Sequence, residues 1–416
     1  MSIISGASTS TAADLRRTNL SRALRAVHGA RGRLTRAELG RELGCTRATV
    51  GALVADLTAM GLLAETVAAA TGRRGRPTTA LLPSADGPVV VAVEIATDAV
   101  RVASVGLGGH LGDVERAALR SGAVPHVVGV ARDVLDRRLA VVGPRCAGVG
   151  IAVHGVVDRT TSAVFAAPGL GWADVEVDVV GLLGLAGARW AHIDNVAHLS
   201  AVAETVRGRA RGVGTVLFLH AAVGVGGSLA DRGRPLRGRR GLAGEYGHLP
   251  LGEQGLPCRC GGRGCWETEV DQVALARAAG LSATPATAAA AAADVLARAR
   301  SGEPAARRAV ERIAAGLGRG IGALVTVHDP DLVVLAGHGA DVLAAAPQVV
   351  HDAARAATVP AHRGGPPPLV PSALGVDGGL VGAAEVVFDH LFDTLFDAVP
   401  PRTAAPSAAQ PAEGAR

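Results

Sequence analysis

The chain has 416 residues, enough for two or three domains, and its 49% hydrophobic content supplies sizeable cores with only 2% aromatic residues. All 42 basic residues are arginine, which excludes a phosphate loop ending Gly-Lys-Ser/Thr and a Schiff-base lysine. The net charge of +5 is uneven: residues 1–80 hold 12 Arg against 5 acidic residues, a basic head on a nearly neutral body, as in a nucleic-acid-binding module.

Residues 1–13 are rich in Ser, Thr and Ala and read as a disordered N-terminus. A first helix is predicted from Asp14 to Val27, with Leu20, Ala23, Leu24 and Val27 at helical spacing. Thr35 and Glu38 form a capping-box pair ahead of a short helix whose buried stripe is Leu39 and Leu43. Gly44 supplies a turn, and Thr46 caps a second helix with the stripe Val50, Leu53, Val54 and Leu57. Two helices joined by a short glycine turn make a helix-turn-helix. The second is then the recognition helix, with Thr46, Arg47, Thr49 and Ala52 free to face the major groove of DNA. Two strand-like stretches, Leu62–Val67 and Thr78–Leu82, flank Gly-Arg-Arg-Gly-Arg-Pro and predict a wing, with Arg73, Arg74 and Arg76 at its tip for phosphate or minor-groove contact. Cys45 reads as a small buried residue of the turn.

Residues 83–88 read as a linker, after which β and α patterns alternate. Strands are expected at Val89–Ile95, Val100–Val105, Ala147–Val153 and Val213–His220, and helices at 127–140 and 309–327. The segment 191–198 reads as a strand end running into a helix, and 221–228 as a glycine-rich loop. The stretch 268–315 is mostly helical and very Ala-rich. A last helix is expected within 375–390, and residues 396–416 read as a disordered tail.

Three of the five cysteines, Cys258, Cys260 and Cys265, lie within eight residues, and His248 precedes the first by ten. Cys3His is a closed tetrahedral donor set for Zn²⁺, and a closed set leaves no position for an activated water, so the metal is read as structural. The plainer alternative is three buried thiols and a surface histidine. A disulfide is weaker, because Cys258 and Cys260 are too close in sequence to pair easily.

Gly244-Glu245-Tyr246-Gly247-His248, followed by Cys258-x-Cys260-Gly261-x-x-Gly264-Cys265-x-Glu267, resembles the ROK family (repressors, open reading frames and sugar kinases). The resemblance covers about residues 14–395 and implies that Glu245, His248 and Glu267 face a bound sugar while His248 also ligates the zinc. The family's kinases carry Asp-x-Gly-Gly-Thr at their first phosphate loop; here Glu94-Ile95-Ala96-Thr97-Asp98 stands there, and two Cβ atoms obstruct the approach of a phosphate. Their Pro-Gly-x-Val-Asp is His154-Gly155-Val156-Val157-Asp158, and the Asn of their Asn-Leu-Gly-Trp is Gly169. The general base of the kinase motif falls on Val196, which cannot accept a proton, while Asn195 remains to bond a sugar hydroxyl. Asp194 is a poor substitute base, and His154 and His198 read as core or surface histidines.

The expected fold is therefore α/β: a winged helix-turn-helix over 14–82, then a two-lobed actin-like, sugar-kinase-like (ribonuclease H-like) domain over 89–395 that holds the zinc segment 244–267. The expected function is a sequence-specific transcriptional regulator of carbohydrate metabolism, leaning to repression. Its expected partners are a double-stranded DNA operator and a sugar or sugar-derivative effector. It is expected to be a homodimer or homotetramer and not to be an enzyme. No apolar run is suited to span a bilayer, the N-terminus lacks a signal-peptide pattern, and zinc thiolates favour the cytoplasm. The alternatives are a ROK sugar kinase with an accessory head and a regulator that has lost its sugar response.

Overall fold

The computed structural model describes residues 12–30, 34–67, 79–173, 175–187, 190–253, 255–361 and 364–397. The chain divides into two compact units. The first joins the residues up to Ser84 with those from His390 onward, and the second is Ala85–Asp389.

In the first unit, α1 (Ala12–Gly29), β1 (Leu34–Thr35), α2 (Arg36–Leu43), α3 (Arg47–Ala59), β2 (Leu63–Val67) and β3 (Thr79–Pro83) follow in order. The start of α2 is fixed by a reciprocal capping box: the Thr35 hydroxyl accepts from the Glu38 amide at 3.2 Å, and Glu38 accepts from the Thr35 amide at 2.8 Å. Gly44 ends α2 in the left-handed conformation, with φ 67°. The apolar stripes of all three helices converge, so Leu20, Leu24, Leu39, Leu53, Val54 and Leu57 are each at most 3% exposed. The strands pair antiparallel in the order β1-β3-β2, and Leu81 buries its side chain from the central strand.

The sequence placed the body's end at 395 and a disordered tail from 396. The structure differs there. Phe392 and Phe396 lie four residues apart and are 2% and 1% exposed. Phe392 meets the His28 ring edge-on at 5.0 Å, and Asp393 accepts from Arg25 at 2.6 Å. The chain's last described turn thus completes the core of the first unit, and its buried phenylalanines are what an Ala- and Pro-based reading of the tail overlooks.

Among the described residues, the second unit has two large sheets and one small two-stranded sheet. The first contains β4 (Val89–Ile95), β5 (Ala99–Gly106), β6 (His110–Leu111), β7 (Glu115–Ala118) and, after α4 (Val124–Val142), β8 (Cys146–Val153). A small hairpin, β9 (Val156–Val157) and β10 (Val164–Ala166), and a short α5 (Val179–Leu182) precede β11 (Ala191–Asn195) and α6 (Val196–Arg207). The order is β11-β8-β4-β5-β6, with β7 also on β5; β4 runs parallel to β8 and antiparallel to β5. All seven residues of β4 are buried, which is why its apolar run is continuous rather than alternating.

The second sheet has the order β14-β13-β12-β15-β16, from β12 (Thr215–Ala222), β13 (Gly224–Asp231), β14 (Arg234–Pro235), β15 (Leu332–Gly337) and β16 (Leu369–Pro371). Between β14 and β15 come the cysteine segment and α7 (Glu267–Val270), α8 (Gln272–Ala278), α9 (Ala288–Arg300) and α10 (Pro304–His328). After β15 follow α11 (His338–Ala345), α12 (Pro347–Ala357) and α13 (Gly378–Thr394). The Ala-rich stretch is helical from Ala288, and its small side chains let Ala288, Ala292 and Ala299 pack into the core of this lobe.

Candidate functional site

The cysteine segment is a folded loop. The Cys258 amide donates to Gly262 O at 2.9 Å, Gly261 to Cys258 O at 3.0 Å, and Gly264 to Leu256 O at 2.8 Å. These turns bring the donor atoms of His248, Cys258, Cys260 and Cys265 within 4.8 Å of one another, a group that could hold a metal ion. Cys258 Sγ lies 3.6 Å from His248 Nδ1, and Cys260 Sγ lies 3.7 Å from Cys265 Sγ. Two carboxylates flank the imidazole: Glu245 Oε2 is 3.8 Å from Nε2, and Glu267 Oε1 is 3.9 Å from Nδ1. Burial raises the Glu245 carboxyl above its ordinary value against the opposing charges of His248 and His198. Glu267 opens α7, is 6% exposed, and accepts from the Val225 amide at 3.4 Å.

Asn195 caps α6, its Oδ1 accepting from the Ala197 amide at 2.7 Å while its Nδ2 donates to Gly155 O at 2.8 Å. One N–H of the amide therefore remains for a ligand. Next to it, Val196 is buried and packs against the backbone at Gly379. A Cβ at Gly169 would lie 2.4 Å from Thr97 Oγ1, so a longer side chain at 169 and the threonine at 97 exclude one another as they stand. Glu94, at the end of β4, is 5% exposed and accepts from Arg101 at 2.7 Å and from His154 Nε2 at 2.8 Å. Arg101 also donates to Val376 O at 2.6 Å and to the Asp377 carboxylate. Burial would raise the Glu94 carboxyl, but His154 and Arg101 together hold it below its ordinary value.

In the head, Thr46 accepts from the Thr49 amide at 3.3 Å and so fixes the first turn of α3. Arg47 and Thr49 are exposed and Ala52 is half-buried, one turn further along α3. Arg73, Arg74 and Arg76 lie outside the described residues.

Sequence reasoning missed the hub at Asp194. This carboxylate, 5% exposed, accepts from the Asn195 amide at 2.8 Å, His198 Nδ1 at 3.1 Å and Arg237 Nε at 2.7 Å. Burial would raise it, but the His192 ring 3.9 Å away, the bond from His198 and the charge of Arg237 hold it far below the ordinary carboxylate range. His198 has a local signal, its i, i+4 spacing from Asp194; Arg237 is 43 residues away and has none.

Two lobed sheets joined through α6, with a Cys3His loop on the second lobe and a helix-turn-helix head, define the class: a sugar-kinase-like fold carrying a DNA-binding type of module. A sequence model of the ROK family matches residues 90–390, and the chain belongs to that family. The xylose repressor of Bacillus subtilis is 25% identical over 250 residues, which are 60% of this chain and 62% of that protein. The chain thus spans less than two thirds of the repressor it matches. The glucokinase of Streptomyces coelicolor is 30% identical over 212 residues, 47% of this chain and 66% of the enzyme. Among solved structures, a ROK family transcriptional regulator homologous to the Escherichia coli MLC protein superposes with TM-score 0.71 at 20% identity, over 92% of this chain and 98% of that one. A ROK family glucokinase from Streptomyces griseus, in complex with glucose and AMPPNP, gives TM-score 0.61 at 25% identity, over 72% of this chain and 98% of that one. Among the described residues, no helix is long and apolar enough to cross a membrane.

Proposed function

We propose that the protein is a sequence-specific DNA-binding transcriptional repressor of carbohydrate genes, with a sugar or sugar derivative as effector and without kinase activity. One observation carries the reading: a capped helix-turn-helix is joined to a ROK domain in which the general-base position is a buried valine, Val196. The likeness to the xylose repressors supports it. Thr46, Arg47, Thr49 and Ala52 on α3, with Arg73, Arg74 and Arg76, are the proposed DNA contacts. Asn195, Glu245, His248 and Glu267 are the proposed sugar contacts, since carboxylates, an amide and an imidazole suit sugar hydroxyls. A homodimer or homotetramer in the cytoplasm fits recognition of paired half-sites.

The metal is read as structural Zn²⁺ on His248, Cys258, Cys260 and Cys265. A tetrahedron with Zn–S near 2.3 Å and Zn–N near 2.0 Å has edges of about 3.8 Å between sulfurs and about 3.5 Å between sulfur and nitrogen. The separations of 3.7 Å and 3.6 Å match those edges. Bound there, zinc would tie His248 to the cysteine loop and orient the face that carries Glu245 and Glu267.

Fluorescence polarisation on the protein's own upstream region, at stated salt and with a sugar panel, tests the reading. Specific binding that a sugar alters is expected, and Arg47→Ala is expected to weaken it by about 1–3 kcal/mol. Failure to bind specifically across a wide duplex library, or hexose phosphorylation by ATP well above background, would overturn it. A second reading, a regulator without a sugar response, is favoured by Gly169 and by the capping duty of Asn195; it predicts specific binding that no sugar changes.

A further inference from the structure

We propose that Asp194 and His198 are the positioning residues of the segment that presents Glu245 and His248, with Asp194 holding that segment at both of its ends. At one end, Arg237 donates to Asp194 Oδ2 at 2.7 Å. Arg237 opens a loop that closes on itself where the Ala243 amide donates to Arg237 O at 3.1 Å. At the other end, Ala243 O accepts from His198 Nε2 at 2.9 Å, while Nδ1 of the same ring bonds Asp194 Oδ1 at 3.1 Å. One carboxylate at the end of β11 therefore reaches residue 237 directly and residue 243 through an imidazole.

The next residue shows how closely the segment is held. Gly244 has φ 104°, and a Cβ there would lie 2.3 Å from Gly227 O and 3.3 Å from His198 Nε2. Its carbonyl accepts from the Gly227 amide at 3.1 Å. The chain is thus gripped between His198 of α6 and Gly227 of β13 immediately before Glu245. His198 is 2% exposed, and both its ring nitrogens lie within hydrogen-bond distance of oxygen atoms. An apolar side chain there leaves Ala243 O and one Asp194 lone pair unmet in the interior, so the segment loses its anchor rather than a surface contact.

This role rests on the reading of Glu245 and His248 as effector contacts. The first test is amide hydrogen exchange of the full-length, zinc-loaded protein. In His198→Leu, residues 238–248 are expected to exchange about tenfold faster or more while the rest of the body is unchanged. His198→Gln keeps an N–H donor and is expected to restore part of the protection. Arg237→Gln, at a half-exposed site, is expected to loosen the same loop from its other end and serves if the buried variants fold poorly. Unchanged exchange at 238–248 in His198→Leu and Arg237→Gln overturns the proposal, as does an equal rise throughout the body. The second test is thermal stabilisation by D-xylose and D-glucose. A sugar that stabilises the wild type is expected to lose about tenfold or more in apparent affinity in His198→Leu; undiminished affinity overturns the positioning role. If neither sugar stabilises the wild type, the exchange result still decides the role of His198, and only the effector reading loses support.

Discussion

Set against the kinase motifs of its family, the body keeps the residue types of the loop 244–267 and carries different ones at Ala96, Thr97, Gly169 and Val196. In the loop 244–267, four donors converge within 4.8 Å and two carboxylates flank His248. At the strand ends of the first lobe, Glu94 is bonded by Arg101 and His154, Val196 is sealed against Gly379, and Thr97 faces Gly169. These replacements fit one another: the side chain added at Thr97 fills the space that a longer residue at 169 would need. The two sides can diverge because they sit on different elements. The loop is fixed by its own turns and by Asp194, and the rebuilt end by β4, β5 and α13. On the proposed reading, that is what would let ligand binding outlast phosphoryl transfer in this chain.

The sharpest way to break the comparison is at the metal. Cys265→Ser removes one of the four donors, and a strong chelator removes the metal they would share. Structural zinc contributes about 10 kcal/mol or more to the order of such sites. Loss of zinc by atomic absorption, with a lowered melting temperature and fast exchange across 248–265, is expected. A protein that melts and exchanges as before would show that the loop stands without metal. Asp194→Asn comes next. It leaves Arg237 without its charge partner, and breaking such a buried pair costs about 3–5 kcal/mol, readable by urea unfolding at pH 7. The folded carboxyl lies below its unfolded value, so this contribution is complete above the ordinary aspartate pKa and fades as pH falls further. The wild-type advantage over Asp194→Asn should therefore shrink in acid.

His338, in the second lobe, gives a further test that touches neither side. It follows the last residue of β15, is 2% exposed, and its two ring nitrogens have no hydrogen-bond partner among the described residues. Burial pushes it down from 6.5 to about 4. A base depressed in the folded state is stable when neutral, and the unfolded chain binds more protons between those two values. Stability is thus complete above the unfolded value and falls by about 3 kcal/mol as pH drops to about 4. His338→Leu should flatten that part of the profile; an unchanged slope would place the titration elsewhere.

Much of this was legible in the sequence because local rules govern it. Thr35-x-x-Glu38 and Gly44 mark the first turn of α2 and its end, and short cysteine spacing marks the ligand loop. Val196 could be read as chemically inert from its side chain alone. What stayed hidden depends on long-range packing. Nothing local joins Asp194 to Arg237, Arg101 to Asp377, or Phe392 to His28. Asn195 shows the limit from the opposite direction. Its residue type suits a sugar hydroxyl, yet only the structure shows that Oδ1 and one N–H already cap α6 and bind Gly155.

Val196→Asp asks whether the rebuilt end differs by one residue or by many. The site is buried, and the position it packs against at Gly379 also lies close to the Glu94 carboxyl. A carboxylate there has no free donor waiting, since Arg101 and His154 are engaged with Glu94. The substitution is expected to destabilise the protein by about 1–3 kcal/mol, the cost of a buried polar group left unpaired, measured by urea unfolding. ATP-dependent phosphorylation of glucose or xylose is expected to stay at background, because the side chains of Ala96 and Thr97 still stand where a phosphate would approach the backbone. If phosphorylation appeared, a general base alone would separate this chain from its kinase relatives, and the fitted replacements at Glu94, Thr97 and Gly169 would be incidental. If it stays absent in a folded variant, a general base at 196 is not sufficient by itself, and the replacements at Ala96 and Thr97 are the next to revert.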